Sequence, residues 1–248
     1  MPGRRLDAVS FWTITLTLLV GIFFMDSIVL YPFRLFTTLV HETGHALAAE
    51  VSFGDAVQIR IAPNGAGVCT TRGGWRFLVV SGGYLGSALF GGGLLWLSSK
   101  PKIRDYLLET LATGFLFVIV FTVRDLFTFA YASLLVAVLF FVGLKTNPAV
   151  EFVVVKVLAT FTSVYALNDV KSLASISMGA RAVFIGGVGR SDAQALADMT
   201  GIPAILWALA WGGLALWFLV KMAVAAAEGQ AAELQSEAGG LRGSDAEW

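Results

Sequence analysis

Apolar runs of about twenty residues, the length a helix needs to cross the hydrocarbon of a bilayer, recur along most of this chain. Hydrophobic residues fill 57% and charged residues only 14% of the 248 positions, well outside the usual balance of soluble domains. The runs are Phe11–Tyr31, Phe33 to about Val51, Phe77–Leu97, about Tyr106–Val123, Leu126–Leu144, Val150 to about Leu167, and Ile202 to about Val224. They predict an all-α polytopic membrane protein with about seven transmembrane helices. Residues 1–227 then form one membrane-embedded domain, and the Ala-, Gly- and Glu-rich residues 228–248 a disordered polar tail.

The breaks between runs are informative. Pro32 separates the first two, and Arg124-Asp125 marks the weakest boundary. The Met1-Pro-Gly-Arg-Arg5 start lacks a small-residue cleavage site downstream, so the first run reads as a retained helix. Arg4 and Arg5 place the N-terminus in the cytoplasm, but Lys100, Lys102 and Arg104 vote the other way, and orientation stays open. Between Ser52 and Trp75 the pattern changes. Val57, Ile59 and Ile61 alternate with polar residues, Pro63-Asn-Gly-Ala-Gly67 supplies a turn, and Val68 to Thr71 returns, which predicts a β-hairpin at the membrane surface. Residues 169–201 are too polar to span, and Ser191 to Met199 reads as a surface helix capped by Ser191.

A net charge of zero removes any electrostatic argument for nucleic acid. The lone Cys69 excludes an intramolecular disulfide and a thiolate cluster, so a metal here depends on histidine and carboxylate. The chain has two histidines, His41 and His45, and both lie within an otherwise apolar run. Positions four apart share one face of a helix, so both imidazoles can reach one zinc ion, while Glu42 reaches a water on it as acid and base. Ionisable groups at membrane depth each cost about 2.5–3.5 kcal/mol on insertion scales, which argues against three of them standing together without a role.

A catalytic zinc takes three protein ligands. With no third histidine, the candidates in or beside apolar runs are Asp26, Asp125 and Asp169. Asp26 has Arg34 as a partner and Asp125 follows Arg124, whereas Asp169 ends a long apolar run with no cation before Lys171. Asp169 is therefore the preferred third ligand, and should its removal leave the metal bound, Asp26, Asp125 and Asp192 are the carboxylates to examine next. Gly82 with Gly86, and Gly83 with Ser87 and Gly91, form smooth stripes suited to close helix packing, possible against the His41 helix. Ser81 and Asn168 are candidate donors to a developing oxyanion. Gly186-Gly-Val-Gly189 lies outside any βαβ unit and reads as a flexible loop.

His41-Glu-Thr-Gly-His-Ala-Leu-Ala48, followed by a Gly-rich hairpin and a late Asp, resembles the M50 family of site-2 protease-like intramembrane zinc metallopeptidases. Gly65-Ala-Gly67, Thr71-Arg-Gly-Gly-Trp75, Gly82-Gly-Tyr-Leu-Gly-Ser87, Ser163-Val-Tyr165, Asn168-Asp169 and Ser191-Asp-Ala193 are similar to its M50B-like branch, over roughly residues 33–215. The resemblance implies that His41, His45 and Asp169 hold Zn2+, that Glu42 is catalytic, and that the substrate is a membrane protein cut in or near a transmembrane segment. It leaves two other readings, a structural or transport zinc site in a non-catalytic membrane protein and a pseudoprotease that binds transmembrane helices without cutting them.

Overall fold

In the computed structural model, residues 8–24, 27–177 and 191–244 are described, with side chains at 10–24, 27–100, 103–163 and 191–225. Helix α1 (Ala8–Phe24) leads through a 3-10 turn at Ile28–Leu30 into α2 (Tyr31–Val51). A hairpin of β1 (Gly54–Ile61) and β2 (Gly67–Gly73) follows, then α3 (Arg76–Ser98), a short α4 (Pro101–Arg104), α5 (Leu107–Thr122), α6 (Leu126–Lys145), α7 (Pro148–Ser177), α8 (Asp192–Thr200) and α9 (Ala204–Ser244).

The sequence accounts for where these elements start and stop. Pro32 falls in the first turn of α2, where its missing N–H costs nothing. The Arg124-Asp125 break is a pair of caps: Asp125 accepts from Thr128 N–H at 3.0 Å to open α6, while the Arg124 guanidinium donates to the last carbonyls of α5, including Phe121 O at 2.6 Å. Asp125 is thus committed to a helix end. Helix α9 runs to Ser244 and so takes in residues 228–244 of the stretch read above as a polar tail, whose Ala and Glu content favours helix.

Of the seven expected spans, α3, α6 and the Ala204–Ala225 part of α9 are long and apolar enough to cross a membrane among the described residues. Two of the other expected spans differ for physical reasons. Helix α5 has 16 residues, about 24 Å of rise against a hydrocarbon core of about 30 Å. Helix α2 is long enough, but Arg34, His41, Glu42, His45 and Glu50 dilute its hydropathy.

The distribution of side chains is inverted relative to a soluble protein. Leu126, Phe129, Leu134, Phe141 and Leu144 on α6, and Leu206, Leu209, Leu216 and Trp217 on α9, are exposed. Thr37, Thr38, Thr128, Thr160, Thr162 and Lys156 are buried. Interior hydroxyls close on their own helices, as Thr160 does on Lys156 O at 2.7 Å and Ser163 on Ala159 O at 3.0 Å. The Lys156 ammonium donates to Ser10 Oγ, tying α7 to α1. An apolar exterior, with buried polar groups closed on partners inside, is the arrangement lipid demands.

Helix α2 lies at the centre, with Leu35, Phe36, Leu39 and Val40 in the main apolar core together with Ile59 and Ile61 of the hairpin. The strands pair antiparallel from Gly54↔Gly73 to Ile61↔Gly67, with a bulge between Ala56 and Gln58. That bulge turns Val57 outward although it continues the apolar alternation of Ile59 and Ile61. Gly65 takes φ +89° in the turn, a conformation that favours glycine. The turn is pinned to α2, where Tyr31 donates to Pro63 O at 2.5 Å and Thr38 to Gly65 O at 3.0 Å.

Candidate metal centre

One turn of α2 brings its two histidines to a single point. The imidazole planes are nearly perpendicular and their Nε2 atoms lie 3.1 Å apart. His45 Nδ1–H donates to Val79 O of α3 at 2.7 Å, which leaves Nε2 as the lone-pair nitrogen facing His41. Both rings are buried.

The third donor arrives from far along the chain. Asp192 Oδ2 lies 2.9 Å from His41 Nε2 and 3.2 Å from His45 Nε2, across a separation of 151 residues. The three atoms form a triangle with sides of 2.9, 3.1 and 3.2 Å. Ligand atoms about 2.0–2.1 Å from a tetrahedral zinc stand about 3.3 Å from one another, so this triangle fits one face of that tetrahedron and leaves its apex for a fourth group. Among the described residues, His41, His45 and Asp192 are the histidine and acidic groups that converge in this way. Partial burial pushes the Asp192 carboxyl up, but the neighbouring imidazoles outweigh it and hold it below the usual carboxylate range.

The local sequence explains how Asp192 is presented. Ser191 caps α8, accepting from Gln194 N–H while Gln194 returns a bond to the Ser191 N–H, and Gly201 closes the helix at φ +74°. Asp192 is the first residue of this nine-residue, self-capped helix. The expected ligand Asp169 lies on α7, at a position whose side chain is outside the described residues. The carboxylate seen with the two histidines is instead that of Asp192, which a sequence reading takes first as an N-terminal helix residue. Asp26, Asn168 and the Gly186–Gly189 loop also fall outside the described residues or side chains.

Helix α3 forms the roof. A Cβ added to Gly83 would stand 2.6 Å from His45 Nε2 and closer still to the His41 ring. One added to Gly82 would meet Ala48 Cβ at 2.6 Å and Gly44 O at 2.8 Å, and one on Gly86 would reach Gly44 Cα at 2.8 Å. The stripes therefore do both things the sequence allowed: they let α2 and α3 touch backbone to backbone, and they face the histidine pair. Gly91 turns the same helix onto Ser163 and Ala159 of α7.

Glu42 is buried on the side of α2 that faces the hairpin. Its carboxylate lies beside the Cys69 backbone N–H, and Gly67 packs against it, with room for no Cβ between Glu42, Thr38 and the strand. Burial, and then the charge of Glu42, push the Cys69 thiol up to about 12, so it stays protonated and is a poor metal donor. The opposite edge of the hairpin is occupied: Ile59 bridges to Val123, and Ile61 exchanges hydrogen bonds with the Thr128 hydroxyl at 2.8 and 3.3 Å.

A helical chain with a lipid-suited exterior and a buried His-His-Asp group beside a glutamate has the make-up of a membrane metallopeptidase. The chain belongs to the Peptidase M50B-like family, whose model matches residues 13–222. No curated protein and no solved structure matches the chain.

Proposed function

We propose that this protein is a multi-pass intramembrane zinc metalloprotease, in the cell membrane, that hydrolyses peptide bonds in or near the transmembrane segments of membrane proteins. The observation that carries this reading is the convergence of the His41, His45 and Asp192 donor atoms within 3.2 Å of one another, with Glu42 on the same helical turn. In this reading those three residues hold Zn2+, and Asp169 stands as the alternative third ligand.

A zinc ion held there supplies Lewis acidity toward a water and a peptide carbonyl, worth several kcal/mol of charge stabilisation. The chain's own residues do the rest. The Glu42 carboxylate takes a proton from the attacking water and returns it to the departing amine. The Cys69 N–H and the close fit of Gly67 hold that carboxylate in place, so that it does not swing away between the two transfers. His45 keeps its orientation through Val79 O.

The hairpin gives the substrate its path. With the β1 edge engaged by Val123 and Thr128, the edge available beside Glu42 is that of β2, and an extended substrate adding to it is held by main-chain hydrogen bonds. A transmembrane helix has its carbonyls engaged internally and must unwind before water can attack one of them.

A non-catalytic zinc protein is the competing reading, and Glu42→Gln separates the two. The ligands remain in that variant while the proton acceptor is lost, so purified protein is expected to keep stoichiometric zinc and lose cleavage by a factor of about 10²–10⁴. Cleavage at the wild-type rate would overturn the mechanism.

A further inference from the structure

Tyr84 of α3 is 1% exposed, and its ring stands edge-on to His41, with centroids 5.2 Å apart and planes at 87°. A phenylalanine would pack equally well there. The hydroxyl is the unexplained part, because it is buried with no hydrogen-bond partner among the described residues. The indole N–H of Trp211 on α9 is buried and unpartnered as well, and Trp211 packs against the same cluster of Tyr84, Ala88 and Ala215. Its neighbour Trp207, stacked on it at 5.8 Å, shows the ordinary state of such a group, donating to Thr200 Oγ1 at 3.0 Å.

Buried donors without acceptors are rare in folded proteins, since each is costly, and two in one cluster point to an absent acceptor. Both groups can donate, and neither meets an acceptor among the described residues. The requirement is an oxygen carried by something that binds beside His41.

We infer that the Tyr84 hydroxyl and the Trp211 indole N–H receive a main-chain carbonyl oxygen of the bound substrate. The inference deepens the peptidase reading and rests on it. It also meets a physical need of that reaction. When a transmembrane segment unwinds, its carbonyls lose their helical N–H partners in surroundings that hold little water. Two preformed donors replace what unwinding removes, and they are selective for an extended backbone over an intact helix, whose carbonyls are already engaged.

The test uses full-length, zinc-loaded protein in detergent and acetohydroxamate as the probe, a small ligand that presents a carbonyl oxygen to a bound metal. Metal analysis and calorimetric titration are run on wild type, Tyr84→Phe and Trp211→Phe. Zinc content is expected to be equal in all three, with acetohydroxamate bound about tenfold more weakly by each variant, equivalent to about 1.4 kcal/mol. Equal affinity in wild type and Tyr84→Phe, with zinc in place, overturns the donor role while leaving the metal site standing. Absence of zinc from the wild-type protein, or of any acetohydroxamate binding to it, overturns the reading of the site on which the inference depends.

Discussion

Under the proposed function, three residues of one helical turn and one residue 151 positions away carry the chemistry, and their separate substitution tests each assignment. His41→Ala and Asp192→Ala each remove one corner of the donor triangle, and both proteins are expected to purify without stoichiometric zinc. Asp169→Ala is the discriminating third variant: zinc retained there and lost in Asp192→Ala makes Asp192 the ligand, and the reverse pattern returns that role to Asp169. Metal analysis of the purified proteins reads all three. His41, Glu42 and His45 were legible in the sequence because helical periodicity makes positions 41 and 45 neighbours and the surrounding run is otherwise apolar. The carboxylate that converges on the histidines was not legible in the same way. Asp192 meets the histidines only through the packing of α8 on α3 and α9, and its own neighbours, Ser191 and Gln194, advertise a capping box and nothing more.

At the scale of elements, the glycine contact between α2 and α3 sets how far the roof stands from the histidines. Gly82→Val places a branched side chain where a Cβ alone would already sit 2.6 Å from Ala48 Cβ and 2.8 Å from Gly44 O. Overpacking of this kind costs about 1–3 kcal/mol. A lowered thermal midpoint in detergent is expected together with weakened zinc binding, because Val79 O, which orients His45, moves with α3. Gly93→Ala is the matched control, since its new methyl group meets nothing within 4 Å. Most element boundaries followed from Pro32, the Arg124-Asp125 pair, the Pro63–Gly67 turn and Ser191. Two features escaped. The bulge that exposes Val57 depends on strand pairing, which alternation alone does not reveal, and the continuation of α9 to Ser244 reflects helix propensity prevailing over polarity.

For the molecule as a whole, a ligand that binds only the folded chain raises its stability by about 2.7 kcal/mol at one hundred times its dissociation constant. Stripping zinc with a chelator is therefore expected to lower the thermal midpoint by about 5 °C or more for a chain of this size, and re-addition of zinc to restore it. In Asp192→Ala the chelator should have little further effect, so scanning fluorimetry of the two proteins checks the assignment independently of any substrate. The apolar exterior on α6 and α9 was readable from composition, and among the described residues three of the expected spans are long and apolar enough to cross, while α5 is short and α2 gives up hydropathy to its charged groups.

Helix α8 is a nine-residue unit closed by its own caps, and it is the piece that delivers Asp192. Under the proposed function, an ion held between it and α2 would work as a clasp on the tertiary fold, shutting a loop that takes in the hairpin and five helices, with the metal–ligand bonds offsetting the entropy lost on closing that loop. In that reading, loading the metal and docking that last small helix would be a single event, and a chain that has not yet acquired its ion would also be one whose scissors have not been assembled.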